Sequence, residues 1–176
     1  HYMLDEADGF CSLVPSHDEY AVSGFPFEVF SADPACVDQI VSEWNPDEVR
    51  RPKPDHARFS YRTLCLSGRA QSALSDLLSD VKQRIPVVGV QGDYAVYFGA
   101  KIVDALVAER SLLVRNSKSG LVSLIRKPAL LTTTCESEHF FRVPEHRSHF
   151  FVSDLFKERV HKFGLTGFWF TPCVMV

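Results

Sequence analysis

The chain has 176 residues, fourteen of them Phe, and 19 Lys and Arg against 22 Asp and Glu give a formal charge of −3. That length suits one domain with a substantial core. Mild acidity argues against nucleic acid as a direct partner, because phosphates call for a basic surface, and it is compatible with a basic protein partner.

His1-Tyr2 ahead of Met3 reads as an expression remnant, with Met3 as the natural start. No apolar run approaches the ~20 residues of a membrane span, and no signal-peptide pattern opens the chain. Cys11, Cys36, Cys65, Cys135 and Cys173 are widely spaced with no CxxC, the usage of reduced thiols in a cytoplasmic protein.

Residues 3–32 mix acidic loops (Asp5, Glu6, Asp8; Asp18, Glu19) with short β-like runs such as Glu28 to Phe30. Asp33-Pro34 has the form of a helix start, and Cys36, Val37, Ile40 and Val41 predict a short amphipathic helix ending near Trp44. Asn45 to Arg58 carries three prolines among many charges and reads as a loop or linker. It divides the chain into an N-terminal segment or small lobe, 3–58, and a main domain, 59–176.

Phe59 to Leu66 predicts a strand. Ser67 then starts a helix whose apolar positions Ala70, Leu74, Leu77, Leu78, Val81 and Ile85 run to a stop at Pro86. Val87–Val90 and Tyr94–Phe98 read as two strands joined by Gln91-Gly92-Asp93. Ile102, Val103, Leu106 and Val107 suit a helical turn, whereas Leu112-Leu113-Val114 looks extended; Asn116 to Gly120 is a turn and Leu121 to Ile125 a strand.

The last segment is the best punctuated. His139–Val143 and Ser148–Val152 are β runs broken at Pro144-Glu145, Ser153 is a good N-cap, and Asp154 follows it in the first turn. Leu155, Phe156, Val160 and Phe163 form one buried helical face, opposite Lys157, Arg159 and Lys162. Gly164-Leu165 is a left-handed C-cap, and Phe168–Phe170 an aromatic strand. Irregular alternation with hairpin-length connections predicts an α+β fold: a mixed or mainly antiparallel sheet with a few short helices, in a single compact domain with room for a small N-terminal lobe.

Chemistry is sparse. There is no GxSxG, and Gly89-Val90-Gln91-Gly92-Asp93 lacks the glycines and lysine of a phosphate cradle, so it reads as a turn. Cys135, His139, His146 and His149 lie near Glu136, Glu138 and Glu145, but not at paired zinc spacing; if the hairpin forms, His139 and His149 are expected on facing strands. Cys135–His139 and Cys65–His56 are the sequence-local thiol–imidazole pairs. Asp104 and Arg110 could form a charge-assisted pair at a helix-to-loop junction. No metal and no cofactor is expected.

Two segments resemble a known family. Lys101-Ile-Val-Asp-Ala-Leu-Val-Ala-Glu-Arg-Ser111 is similar to a segment of immunity protein family eleven of bacterial polymorphic toxin systems. Val152-Ser153, Phe156-Lys157-Glu158, Val160, Gly164-Leu165-Thr166-Gly167, Phe170 and Pro172 match that family's ending. The likeness covers about residues 64–172, and Ala105 stands where a cysteine is common. It implies a cytoplasmic antitoxin that binds a cognate secreted or contact-delivered toxin domain stoichiometrically. Such a protein needs no catalysis and no membrane, only an interface of roughly 800 Å² per partner.

On this reading Asp104, Arg110, Ser153, Gly164 and Gly167 are structural. Contacts are expected outside the resemblance, in the acidic N-terminal loops and at Trp44, Asp47 and Glu48. Two rivals remain: a small cytosolic enzyme using Cys135 or the His139/His146/His149 region, and a non-catalytic ligand- or peptide-binding adaptor.

Overall fold

A computed structural model describes residues 1–15, 38–59 and 63–176. The β-like run at Glu28–Phe30 and the helix start at Asp33-Pro34 lie outside the described residues. In chain order the elements are β1 (Tyr2–Glu6), β2 (Leu13–Pro15), β3 (Ile40–Trp44), β4 (His56–Ala57), β5 (Leu64–Ser67), α1 (Gly68–Leu74), β6 (Gln83–Val88), β7 (Tyr94–Phe98) and β8 (Lys101–Ile102). There follow β9 (Leu112–Arg115), β10 (Val122–Lys127), β11 (Ala129–Leu130), α2 (Thr132–Cys135), β12 (Phe140–Arg142), β13 (Phe150–Val152), α3 (Asp154–Lys162), β14 (Phe168–Pro172) and β15 (Val174–Met175).

Two mixed sheets dominate: a six-stranded one ordered β2-β3-β6-β7-β5-β4 and a five-stranded one ordered β14-β1-β13-β12-β8. The pairs β9–β10 and β11–β15 stand apart from both. This is the expected α+β class with mixed, mainly antiparallel pairing.

The core follows from the two-residue period of the strands. Leu64, Leu66, Ala95 and Tyr97 from one sheet, and Leu4, Phe140, Phe150 and Val152 from the other, bury against α1 and α3. The alternate residues Cys65, Tyr94, Val96 and Phe98 close a second cluster on the outer face of the six-stranded sheet. Met3, Phe141 and Phe151 close a third with Val103, Leu106, Ile125, Leu130 and Cys135. Tyr94–Phe98 is therefore buried at every position, as a strand covered on both faces must be. Across the β12–β13 pair, Phe140 stacks on Phe150 at 4.8 Å and Phe141 on Phe151 at 5.6 Å.

The helices are short and held from outside. Ser67 Oγ accepts from Ala70 N at 3.2 Å to cap α1, and Ser153 Oγ accepts from Phe156 N at 3.2 Å to cap α3. Arg159 of α3 donates to Ala73 O at 3.0 Å and to both carboxylate oxygens of Asp76 at 2.7 and 3.2 Å, clamping the two helices together. The end of α3 is a complete Schellman motif. Gly164 N donates to His161 O and Leu165 N to Val160 O, with Gly164 at φ +58° and Leu165 and Val160 in one core.

Several expectations need correction. Residues 40–44 are a strand, because parallel pairing with β6 (Ile40↔Val87, Val41↔Val88) satisfies a backbone that local spacing suggested was helical. The helix after Ser67 passes into a 3₁₀ turn at Ser75–Leu78 and stops; Ile85 and Pro86 belong to β6. Pro86 is tolerated there because the ladder with β3 begins one residue later, so its missing N–H costs no bond on that side. Leu155 (41% exposed) and Phe163 (48%) leave the buried face of α3 to Phe156 and Val160, since a nine-residue helix packs along one narrow stripe.

His139 is opposite Ser153 rather than His149, because the register Phe140↔Val152 and Phe141↔Phe151 sets it. His1 and Tyr2, ahead of Met3, are packed into the fold. Tyr2 lies in β1 between Val152 and Pro172 with Lys157 Nζ 4.0 Å from its ring centroid, and His1 packs edge-on to Phe141.

The two glycines after α3 differ in kind. At Gly164 a Cβ would meet nothing within 4 Å, so Gly164→Ala should cost only the left-handed backbone, about 1 kcal/mol. At Gly167 (φ +87°) a Cβ would run into the His56 carbonyl and come within 2.6 Å of Pro54 Cβ. Gly167→Ala should therefore cost more, about 3 kcal/mol, in urea unfolding of the two variants side by side.

Candidate functional site

Asn45–Arg58, which reads as a loop in sequence, is tied down along its length. Asn45 Oδ1 accepts from Asp47 N at 3.1 Å, opening a 3₁₀ turn over Pro46–Glu48. Trp44 meets Tyr94 edge-on at 5.3 Å, and Lys53 Nζ lies 5.3 Å from its ring centroid. Glu48 accepts from Ser12 N at 2.9 Å, Ser12 Oγ at 2.6 Å and Arg51 at 2.6 Å. The Ser12 bonds, ahead of the Arg51 charge, hold its carboxyl below the usual range. Of the three expected contact residues, Trp44 and Glu48 thus spend their side chains on their own chain, and Asp47 faces outward.

Farther along, Asp55 is the best-connected acid among the described residues. Its Oδ1 accepts from Ser67 Oγ at 2.6 Å and Arg69 Nε at 3.2 Å; its Oδ2 accepts from Arg69 Nη2 at 2.6 Å, Thr166 N at 2.9 Å and Thr166 Oγ1 at 3.1 Å. Asp55 N and His56 N both donate to Thr166 O in return. Burial alone would raise this carboxyl, but the bonds from Arg69, Ser67 and Thr166 outweigh it and hold the pKa at about 2. Sequence reading passed over Asp55 because its partners lie 12, 14 and 111 residues away.

Among the described residues the thiol–imidazole pairs suggested by the sequence do not form activated dyads. Cys135 is buried with its Sγ 3.3 Å from Leu131 O, and burial pushes its thiol up. Cys65 and His56 sit on paired strands, yet burial pushes the thiol up and the imidazole down to about 4, so both are neutral rather than an activated ion pair. His139 Nδ1 meets Ser153 Oγ at 3.0 Å, whereas His149 stacks against His146 at 4.4 Å, 2.7 Å between their Nδ1 atoms. Burial, then the neighbouring His146, lowers His149 to about 4. Among the described residues no three His, Cys, Asp or Glu side chains converge as metal ligands. Asp104 and Arg110 are both exposed with no ion pair between them, because the chain turns through a 3₁₀ segment at Ala108–Arg110.

What the surface does offer is the β9–β10 hairpin. Leu113 and Ile125, directly paired, point into the core. Their neighbours Leu112 (50% exposed), Val114 (36%) and Leu124 (38%) look outward, and Leu121 is 71% exposed by the tip. The tip is built: Asn116 Oδ1 accepts from Lys118 N at 2.9 Å and Ser119 N at 3.1 Å, and Arg115 Nη1 donates to Gly120 O at 3.1 Å. Sequence reading found this turn and strand but not their exposure.

Among the described residues the site thus comprises a packed α+β scaffold, neutral buried thiols at Cys65 and Cys135, and an exposed apolar hairpin. Residues 89–175 match the Immunity protein family (Imm11), the same family that the Lys101–Ser111 and Val152–Pro172 motifs resemble. No curated protein matches the chain. Among the described residues no helix is long and apolar enough to cross a membrane.

Because the folded Asp55 carboxyl lies near 2, below its ordinary 3.8, the unfolded chain takes up the proton first as pH falls. Its stabilisation is therefore complete above about pH 4 and is lost towards pH 2. Discounted for the half-exposed Arg69, that loss is about 1–2 kcal/mol. In Asp55→Asn this part of the stability-versus-pH slope should vanish, as followed by urea melts. Two imidazoles titrating near pH 4 in NMR should belong to His56 and His149.

Proposed function

We propose that this protein is a cytoplasmic immunity protein, which neutralises a cognate bacterial toxin domain by stoichiometric binding. The observation that carries the reading is the family match over residues 89–175, which contains the exposed hairpin and the whole strand–helix–strand ending. Inhibition by binding requires a rigid surface and slow dissociation, with complementary charge to speed encounter. Elements fixed at both ends by caps and carboxylate bonds suit that task, since little side-chain or loop ordering remains to oppose association.

The rival enzymatic reading rests on Cys135 or the histidines. It is disfavoured by a thiol with no exposed surface and by a His149 imidazole kept neutral through burial. The test is co-expression with the toxin encoded beside this gene. Wild type should restore growth and co-purify with the toxin's C-terminal domain; failure of both ends the immunity reading. Cys135→Ala and His149→Ala should protect as wild type does, whereas an enzymatic mechanism at these residues would lose protection with either substitution.

A further inference from the structure

The chain as a whole is acidic, but its charge is segregated. From Arg110 to Lys127 the sequence carries five cations (Arg110, Arg115, Lys118, Arg126 and Lys127) and no acid; the other 14 Lys and Arg are set among all 22 Asp and Glu. All five cations are exposed, and none has a carboxylate within ion-pair distance among the described residues. Elsewhere Arg51, Arg58, Arg69, Lys101 and Arg159 each have one. Uncompensated like charges on one ribbon repel each other, so the folded hairpin alone gives no reason for their arrangement.

Between these cations lies the apolar strip. The cross-strand pair Val114↔Leu124 is outward, Leu112 is registered with Lys127, and Leu121 stands at the tip. An apolar centre rimmed by charge is the composition of a protein interface. Polyphosphate would engage the cations but has no use for four leucine and valine side chains. The hairpin also has no aromatic ring on which a base could stack.

Resting on the immunity reading, we infer that the outer face of the β9–β10 hairpin is the docking surface. Its partner is a carboxylate-rich face of the toxin domain with an apolar centre. The sign is the reverse of what the net charge suggests. Lys118, Arg126 and Lys127 steer the encounter, while Val114, Leu121 and Leu124 are buried on contact and slow dissociation.

The test uses the full chain and the C-terminal domain of the neighbouring toxin in surface-immobilised kinetics. Lys118→Glu/Arg126→Glu should lower the association rate about tenfold at low salt, with the difference closing as salt rises. Val114→Ser/Leu124→Ser should raise the dissociation rate about tenfold or more. Both variants must melt as wild type does, and Lys162→Glu, an exposed cation on α3, should bind as wild type does. If wild type binds and the hairpin variants bind equally well, the docking surface is elsewhere and the immunity reading stands. If wild type does not bind, both fall together. Hairpin-dependent retention of a 20-base-pair DNA duplex, with toxin binding unaffected, would make the surface a nucleic-acid site and overturn the inference.

Discussion

The carboxylate of Asp55 joins three parts of the chain that lie far apart in sequence, and the backbone bonds of Asp55 and His56 to Thr166 O and of Arg69 to Gly164 O reinforce the junction. That carboxylate reads out the start of α1 through Ser67 and Arg69, and the exit from α3 through Thr166. Residues of both helices share one core with residues of both sheets, so the same group ties the two helices together where the six-stranded and five-stranded sheets meet. The close passage of Gly167 under Pro54 and His56 is part of that junction, as is the ladder bond from Ala7 N to Gly167 O. Five donors on one carboxyl satisfy nearly every lone pair, which lets a charged group sit in a largely buried position.

Around that hub the polar groups form caps and clamps, and the apolar ones form three cores on alternate strand faces. Cys65, Cys135, His56 and His149, which look suggestive in sequence, have pKa values moved away from reactivity by burial. The surface retains what the interior does not use: an outward acid at Asp47, an exposed Trp169 on the edge strand β14, and a basic, apolar hairpin.

Sequence was most informative where the determinants are local. The N-cap at Ser153, the glycine exit at Gly164, the turn at Gln91–Asp93 and the aromatic strand after Gly167 each depend on neighbours within about four residues, and each is present. It failed where a distant partner decides. Residues 40–44 have helical spacing but are claimed by β6, and Pro86 looks like a helix stop until the end of its parallel neighbour explains it. Asp55 sits in a run of prolines and charges with nothing nearby to mark it. The hairpin was legible as a turn and a strand. Its exposure was not, because alternation over four or five residues cannot say which face a neighbouring element covers.

The placement of β1 has a temporal consequence. Residues 2–6 form an interior strand of the five-stranded sheet, hydrogen-bonded to 150–152 on one side and 168–172 on the other. During synthesis the first strand must wait for almost the whole remaining chain before its sheet can close, and pairing at such sequence separation is slow. Until then Met3 and Leu4 have no core to enter, and the helix-covering face of that sheet is incomplete. The stretch 89–175, for all its family likeness, holds only four of the sheet's five strands and lacks the one that bridges β13 and β14. The five-stranded sheet can be completed only after translation has passed residue 172, so its closure is tied to the synthesis of nearly the entire chain.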